Sequence, residues 1–318
     1  MAKIVYASGY NIGFAGMERF HPFDLRKYGR VWQRLRQEFG TVVRERHLRP
    51  AGPVSLQQLL LVHSETYLEK LRNPLYLAGA LEVPQVAKLP RWLVDFYVLR
   101  PMRWATAGTI LAAETALEEG MAINLGGGFH HAKPERGEGF CVYSDIGVSV
   151  AQLRSEGRLK DHQRVVYIDT DAHQGNGVCH VFRNDSRVFL FDIFNRQIYP
   201  AADSVARERI DCAIPVLSDC SDDEYLGQLE RRLPPFLDSV TREEVGLAIY
   251  NAGTDVVKDD PLGQMNLSPE TVFQRDMLVM KELRERGIPT LMVLSGGYTR
   301  DSCQLVARSV AWLLQSSL

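Results

Sequence analysis

The sequence predicts a single α/β domain over residues 1–318, with a central, mostly parallel β-sheet covered by helices on both faces. Three observations carry that expectation. The chain has 318 residues, 45% of them hydrophobic and 24% charged, the makeup of a globular protein long enough to bury a large core. Short runs rich in Val and Ile recur with near-continuous hydrophobicity, as in parallel strands buried on both faces. Helical patterns lie between them, and no repeat, low-complexity linker or shift in composition divides the chain.

In chain order, "KIVYA" reads as the first strand, and the segment up to about Arg100 as mixed helix and loop. "WATAGTILAAETALEEG" then repeats Ala and Leu at helical spacing and stops at Gly120, the residue type that ends helices most easily. The runs "MAINLGGG", "RVVYIDTD", "RVFLFDIF" and "VGLAIYNAGTD" follow as strands. Ser268, Pro269 and Glu270 open another helix, whose apolar side is expected to carry Phe273, Met277 and Met280. "PTLMVLSGGY" supplies the last strand.

A formal net charge of −2, with Lys and Arg spread throughout, leaves no electrostatic footprint for nucleic acid. No basic amphipathic stretch suits a membrane surface, and no apolar run approaches the ~20 residues of a membrane span. The start "MAKIVYASGYN" lacks a secretory pattern, so a cytoplasmic protein is expected. The five cysteines, Cys141, Cys179, Cys212, Cys220 and Cys303, are odd in number and form no CxxC pair. Buried free thiols are therefore expected, not a disulfide framework or a thiolate metal site.

Ligands of open α/β sheets bind beyond the carboxyl ends of the strands. Four predicted strands end in conspicuous polar residues: "INLGGG" leads to Phe129, His130 and His131; "VVYID" to Asp169, Asp171 and His173; "LAIYNAG" to Asp255; and "LMVLSGG" to Tyr298. Asp171 and His173 are two apart in an extended segment, so their side chains share one side of the backbone and can share one ion. A carboxylate and an imidazole suit zinc or a similar first-row metal, and Asp255 is the natural third ligand, leaving a position open for water. Such a metal makes water a better acid and polarises a carbonyl, which points to hydrolysis.

A base must still take a proton. His130 and His131 would diverge in extended backbone, but a turn at Gly126, Gly127 and Gly128 can present both to one pocket. Each ring needs a partner on its other nitrogen; Asp169 offers a carboxylate and Asn176 an amide oxygen. Tyr298, after two glycines, can donate its phenol to an oxyanion. Neither a G-x-G-x-x-G after a strand nor a GK[ST] occurs, which argues against a nucleotide.

These residues resemble the zinc-dependent histone deacetylases. The resemblance rests on "GGGFHHAKPERGEGFCVYSDI", "YIDTDAHQGNGV", "YNAGTDVVKDDPLG" and "LSGGYT", which stand in family order and cover nearly the whole chain. With "YNIGFAGMERFHPFD" near the start, the chain looks most like the class IV branch. The resemblance implies an arginase-like fold and one zinc ion held by Asp171, His173 and Asp255. It implies His131 as the general base, His130 as its electrostatic partner held by Asp169, and Tyr298 as the donor that polarises the acyl carbonyl. Asn176 stands where class I has an aspartate beside the second histidine, implying a less easily protonated His131. Gly139, Phe140 and Leu262 match residues lining the tube for the acyl-lysine side chain. A structural potassium or sodium ion is implied near Asp169, Asp171 and His173, where Asp192 replaces a class I serine.

The implied reaction is hydrolysis of the side-chain amide of an acyl-lysine protein or peptide, with class IV tipping the expectation from acetyl toward long fatty acyl groups. An acylated small amine, such as an acylpolyamine, would use the same chemistry. Two rivals come from other classes. A ureohydrolase of similar fold would bind two manganese ions through further carboxylates, but Val256 and Val257 follow Asp255. A non-catalytic acyl-lysine reader would have lost a ligand or the tyrosine, and none is substituted.

Overall fold

The structure, a computed structural model, describes residues 2–12, 26–241 and 243–316. Eight strands form one sheet: β1 Lys3–Val5, β2 His47–Leu48, β3 Met121–Asn124, β4 Arg164–Asp169, β5 Val188–Asn195, β6 Cys212–Val216, β7 Val245–Asn251 and β8 Thr290–Val293. Their order is β2-β1-β3-β8-β7-β4-β5-β6, and every pairing is parallel. All six predicted strands are present. The two that the sequence did not announce are the edges: β2 has two residues, and β6 carries Pro215, a residue that sheets tolerate at an edge.

The central strands are apolar on both faces because both are covered. Val166 and Ile168 of β4 join Ala248 and Tyr250 of β7 in one core, while Val165 and Tyr167 join Leu247 and Ile249 in the other. The long covering helices are α1 Lys27–Arg46, α2 Arg100–Glu119, α3 Asp145–Ser155, α4 Asp222–Val240, α5 Pro269–Glu285 and α6 Ser302–Gln315. Helix α2 ends as expected at Gly120, in the left-handed conformation at φ 84°. Ser268 caps α5 by accepting the Thr271 N–H, with Pro269 at the first helical position.

The inner face of α5 differs from the expected one. Val272, Val279, Met280 and Leu283 are buried, whereas Phe273 and Met277 are only partly covered. The buried face also carries Arg275 and Asp276: the guanidinium donates to the Thr170 carbonyl at 3.0 Å, the Gly253 carbonyl at 2.6 Å and Asp276. A fully paired charge is at home inside, and it hides the face from a reading of apolar residues alone.

Residues 54–102 form a third core of short helices and turns, including a 3₁₀ turn at Pro84–Lys88 and a π turn at Asp95–Leu99 that runs into α2. Of the five thiols, Cys303 is half-buried and the other four are buried. No described helix is long and apolar enough to cross a membrane. Most of "YNIGFAGMERFHPFD" lies outside the described residues.

Candidate metal and acyl-transfer site

The strands β3, β8, β7 and β4, whose ends carry the polar motifs, are neighbours in that order at the middle of the sheet. Their loops therefore meet above one patch. After β3, Gly127 and Gly128 turn the chain at φ 72° and 81°. A Cβ on Gly128 would lie 2.6 Å from Asn251 Oδ1 and 2.7 Å from the Ser295 backbone, so only glycine lets the loops approach this closely. Asp145, the first residue of α3, holds the turn by accepting the N–H groups of Gly128 at 2.9 Å and Phe129 at 2.8 Å.

This turn brings the two histidine rings together, with centroids 4.0 Å apart. His130 Nδ1 lies 2.8 Å from Asp169 Oδ2, and His131 Nδ1 lies 2.7 Å from Asn176 Oδ1. Both rings are buried, but their electrostatics diverge. Burial would lower His130, yet the charges of Asp169 and Asp171 outweigh it and raise the ring above its usual pKa. His131 hydrogen-bonds to no carboxylate among the described residues, and burial, then repulsion from His130 and His173, outweighs the Asn176 bond and the Asp171 charge and holds it well below the imidazole range.

Asp171 and His173 leave the end of β4, and Asp255 follows β7. One ligand atom from each lies within 4.8 Å of the others, and all three residues are buried. His173 Nδ1 stands 2.9 Å from Asp255 Oδ2 and 3.1 Å from Asp171 Oδ1. Glycines again make room: a Cβ on Gly253 would meet Asp171 Oδ2 at 2.2 Å, and one on Gly296 would meet Asp255 Oδ2 at 2.5 Å. Burial and the Asp171 charge push the Asp255 carboxyl up to about 7. Burial opposes protonation of His173, but its bonds to Asp171 and Asp255 raise it to about 10. The cluster thus favours positive charge, and two carboxylates with one imidazole fit a single zinc or similar ion. No second cluster of this kind occurs among the described residues.

Tyr298 stands at the same place, its ring 6.3 Å from that of His173 and 6.2 Å from that of Phe140. Burial and the nearby Asp255 and Asp171 charges hold its phenol far above the usual range, so it remains a donor. His130, His131, Gly139, Phe140 and Tyr298 all line one cavity of about 430 Å³. Leu262 is not among its lining residues; its N–H binds Asp260 Oδ1, whose partner Oδ2 takes the Tyr298 N–H at 2.8 Å. The far wall is apolar and comes from the third core: Leu81, Val83, Val86, Leu89, Val98 and Met102.

Several site residues were not legible in the motifs. Asn251 Nδ2 donates to Asp169 Oδ1 at 2.8 Å and to Ser295 Oγ at 2.9 Å, tying β7 to the loops after β4 and β8. Lys27 of α1 is buried, and its ammonium donates to the carbonyls of Ser295 at 2.9 Å and Gly296 at 2.6 Å, beneath the Tyr298 loop. Tyr199, past β5, sets its ring edge-on to His131 at 5.0 Å. A buried lysine far back in the sequence carries no local signal; "IYP" after a strand is a faint one. Asp192 sits beside Asp169 in the sheet; its Oδ2 takes the Gly175 N–H at 2.9 Å, and its buried Oδ1 has no partner among the described residues.

Residues 21–314 match the family model of the histone deacetylase domain. The chain is 42% identical over 316 residues to Histone deacetylase 2 of Arabidopsis thaliana, covering 99% of this chain and 79% of the relative. It is 31% identical over 291 residues to an uncharacterized protein of a Picosynechococcus species, covering 91% and 90%. The acetoin utilization protein AcuC of Staphylococcus xylosus is 24% identical, covering 92% and 76%. The fold is similar to the crystal structure of the HDA15 HD domain, with a TM-score of 0.74 over 99% of this chain and 88% of that one at 17% identity.

Proposed function

The chain belongs to the histone deacetylase family, and we propose that it is a zinc-dependent lysine deacylase of the class IV branch that favours long fatty acyl groups over acetyl. The observation that carries the acyl preference is the apolar cavity beyond His130, His131 and Tyr298, about 430 Å³ in volume and walled by residues 81–102. An acetyl group would leave most of it unfilled. Each buried methylene contributes about 0.8 kcal/mol. Four more methylenes in the cavity thus bring about 3 kcal/mol, on the order of a hundredfold in kcat/KM.

Asp171, His173 and Asp255 would hold the zinc. When bound, zinc supplies a Lewis acid that polarises the acyl carbonyl and makes water a better acid. The chain's own groups do the rest. His131, whose Nδ1 is engaged by Asn176, offers Nε2 to take the proton from the attacking water and return it to the leaving lysine amine. His130, held by Asp169, places positive charge beside the developing anion, and Tyr298 donates its phenol to the same oxygen. No acyl-enzyme forms. Cys141 lines the cavity, but burial keeps its thiol protonated. A structural potassium or sodium ion would suit the neighbourhood of Asp169 and Asp192, where the unpartnered Asp192 Oδ1 offers an oxygen ligand.

The test is a panel of lysine peptides and polyamines carrying acetyl to myristoyl groups, with metal content measured on the same preparation. Rising kcat/KM with chain length and one zinc per chain are expected. Acetyl-lysine outperforming myristoyl-lysine would remove the acyl preference. A protein carrying two manganese ions, or none with no turnover, would favour a ureohydrolase or a non-catalytic reader.

A further inference from the structure

His131 is oriented by an amide, which raises the question of what orients the amide. Asn176 presents Oδ1 to His131 Nδ1 at 2.7 Å, and its Nδ2 donates to Glu138 Oε1 at 2.6 Å and to Asp203 Oδ2 at 3.3 Å. Ionised carboxylates only accept hydrogen bonds. A reversed amide would turn its oxygen against both of them and its NH₂ toward His131. Asn176 is therefore fixed with its oxygen toward the ring, and the ring must carry its hydrogen on Nδ1. Nε2 is then left as the acceptor.

The two carboxylates are themselves pinned. Lys133 Nζ bridges them, 2.9 Å from Glu138 Oε1 and 2.8 Å from Asp203 Oδ2. Arg136 Nε approaches Glu138 Oε2 at 3.1 Å, and Tyr199, whose ring rests on His131, lies beside Glu138. Asp203 is engaged elsewhere, accepting from His180 Nε2 and from the Ala206 N–H at 3.1 Å. Glu138 is the closer partner of the amide, at 2.6 Å against 3.3 Å for Asp203. Its side chain is only 13% exposed. Burial works against its charge, but the bond and charge of Lys133, then the bonds of Tyr199 and Asn176, hold the carboxyl below its usual range.

We propose that Glu138 is a positioning residue for deacylation: by binding the Asn176 amide nitrogen it fixes the amide, and through it the His131 tautomer that keeps Nε2 free to take a proton. The arrangement reaches His131 through one amide, whereas Asp169 touches His130 directly. Hydrogen bonds in such a chain polarise one another, so the Glu138 charge strengthens Asn176 Oδ1 as an acceptor for the His131 N–H. The proposal rests on His131 acting as the base.

The experiment uses zinc-loaded full-length protein in which the histidines are ¹⁵N-labelled. It compares wild type, Glu138→Gln, Glu138→Asp, Asn176→Asp and the Glu138→Gln/Asn176→Asp double variant. A glutamine at 138 can offer either end of its amide to Asn176. E138Q is accordingly expected to lower kcat about 10-fold or more with KM little changed, as losses of supporting partners do. The His131 nitrogens should shift from a pure Nδ1–H pattern toward a mixture of tautomers, and E138D should restore both readouts in part. The carboxylate introduced by Asn176→Asp has no N–H to offer, so Glu138 would only repel it. In that background E138Q should be neutral or raise kcat.

A wild-type His131 spectrum and kcat in E138Q would overturn the proposal. So would an equal loss of kcat from E138Q in both backgrounds, because that marks a structural role independent of the amide. If E138Q does not fold, E138D and N176D carry the same comparison. Full turnover by His131→Ala would overturn the base assignment instead. The tautomer signal in E138Q separates that failure from a failure of the relay.

Discussion

At the polar end of the cavity each reactive side chain is oriented by a neighbour that is itself held: Asp169 on His130, Asn176 on His131, Asp260 on the Tyr298 backbone. At the other end, Leu81, Val83 and Val86, on short turns, and Met102, in the first turn of α2, line the cavity with methyl and methylene groups. Hydrogen bonds fix direction to within a few tenths of an ångström, while apolar packing asks mainly for volume. The difference implies that chemistry is locked at one end and selectivity is adjustable at the other. Substitutions should fall into two classes: those that lower turnover for every acyl length, and those that change the order of acyl lengths.

The largest expected effects lie at the polar end. His131→Ala should lower kcat by ~10²–10⁴-fold, the usual contribution of a general base, and Tyr298→Phe by ~10²–10³-fold. Both losses should be equal for acetyl- and myristoyl-lysine peptides in steady-state assays, and a length-dependent loss would break the division. At the wall, Val86→Phe should fill part of the cavity and reduce kcat/KM for the myristoyl peptide by ~10–100-fold, leaving the acetyl peptide within a few-fold. Equal losses on both peptides would mean that the turn at Pro84–Lys88 supports catalysis and not selectivity.

The smallest effect concerns His63, which lies outside both ends. Its Nδ1 donates to the Pro134 carbonyl at 3.2 Å, and its Nε2 accepts the Ser144 N–H at 2.9 Å, so the neutral ring clamps the segment between His131 and Asp145. Burial, only partly offset by the carbonyls of Pro134 and Lys133 and the charge of Glu135, lowers its pKa to about 4. The unfolded chain takes up the proton near ~6.5, so between there and about 4 the unfolded state binds more protons. Stability should be flat above that window and fall by at most ~1.4 kcal/mol per pH unit within it. Urea unfolding of wild type and His63→Gln would show it as a shallower acid slope in the variant.

The polar end was legible in the sequence because charge stands out at the end of an apolar strand: Asp171, His173, Asp255 and the His130–His131 pair all announce themselves this way. That their loops are neighbours was not, since β8 inserts between β3 and β7 and strand order leaves no local trace. The apolar wall was invisible for a different reason. The 3₁₀ and π turns at Pro84–Lys88 and Asp95–Leu99 follow neither the helical nor the strand period, so the region read only as mixed helix and loop. Leu262 was expected in the tube; what the sequence does not announce is that its N–H and that of Tyr298 share the Asp260 carboxylate. Glu138 sat in a quoted motif without a role, since nothing in a sequence says which way an asparagine 38 residues on will turn its amide.

Lys27 links the carbonyls of Ser295 and Gly296 to the first long helix, across 268 and 269 residues of chain. The loop that carries Tyr298 thus leans on a cation from far earlier in the chain. Removing that ammonium, as in Lys27→Met, is therefore expected to loosen the Tyr298 loop and lower turnover while Asp171, His173 and Asp255 stay in place.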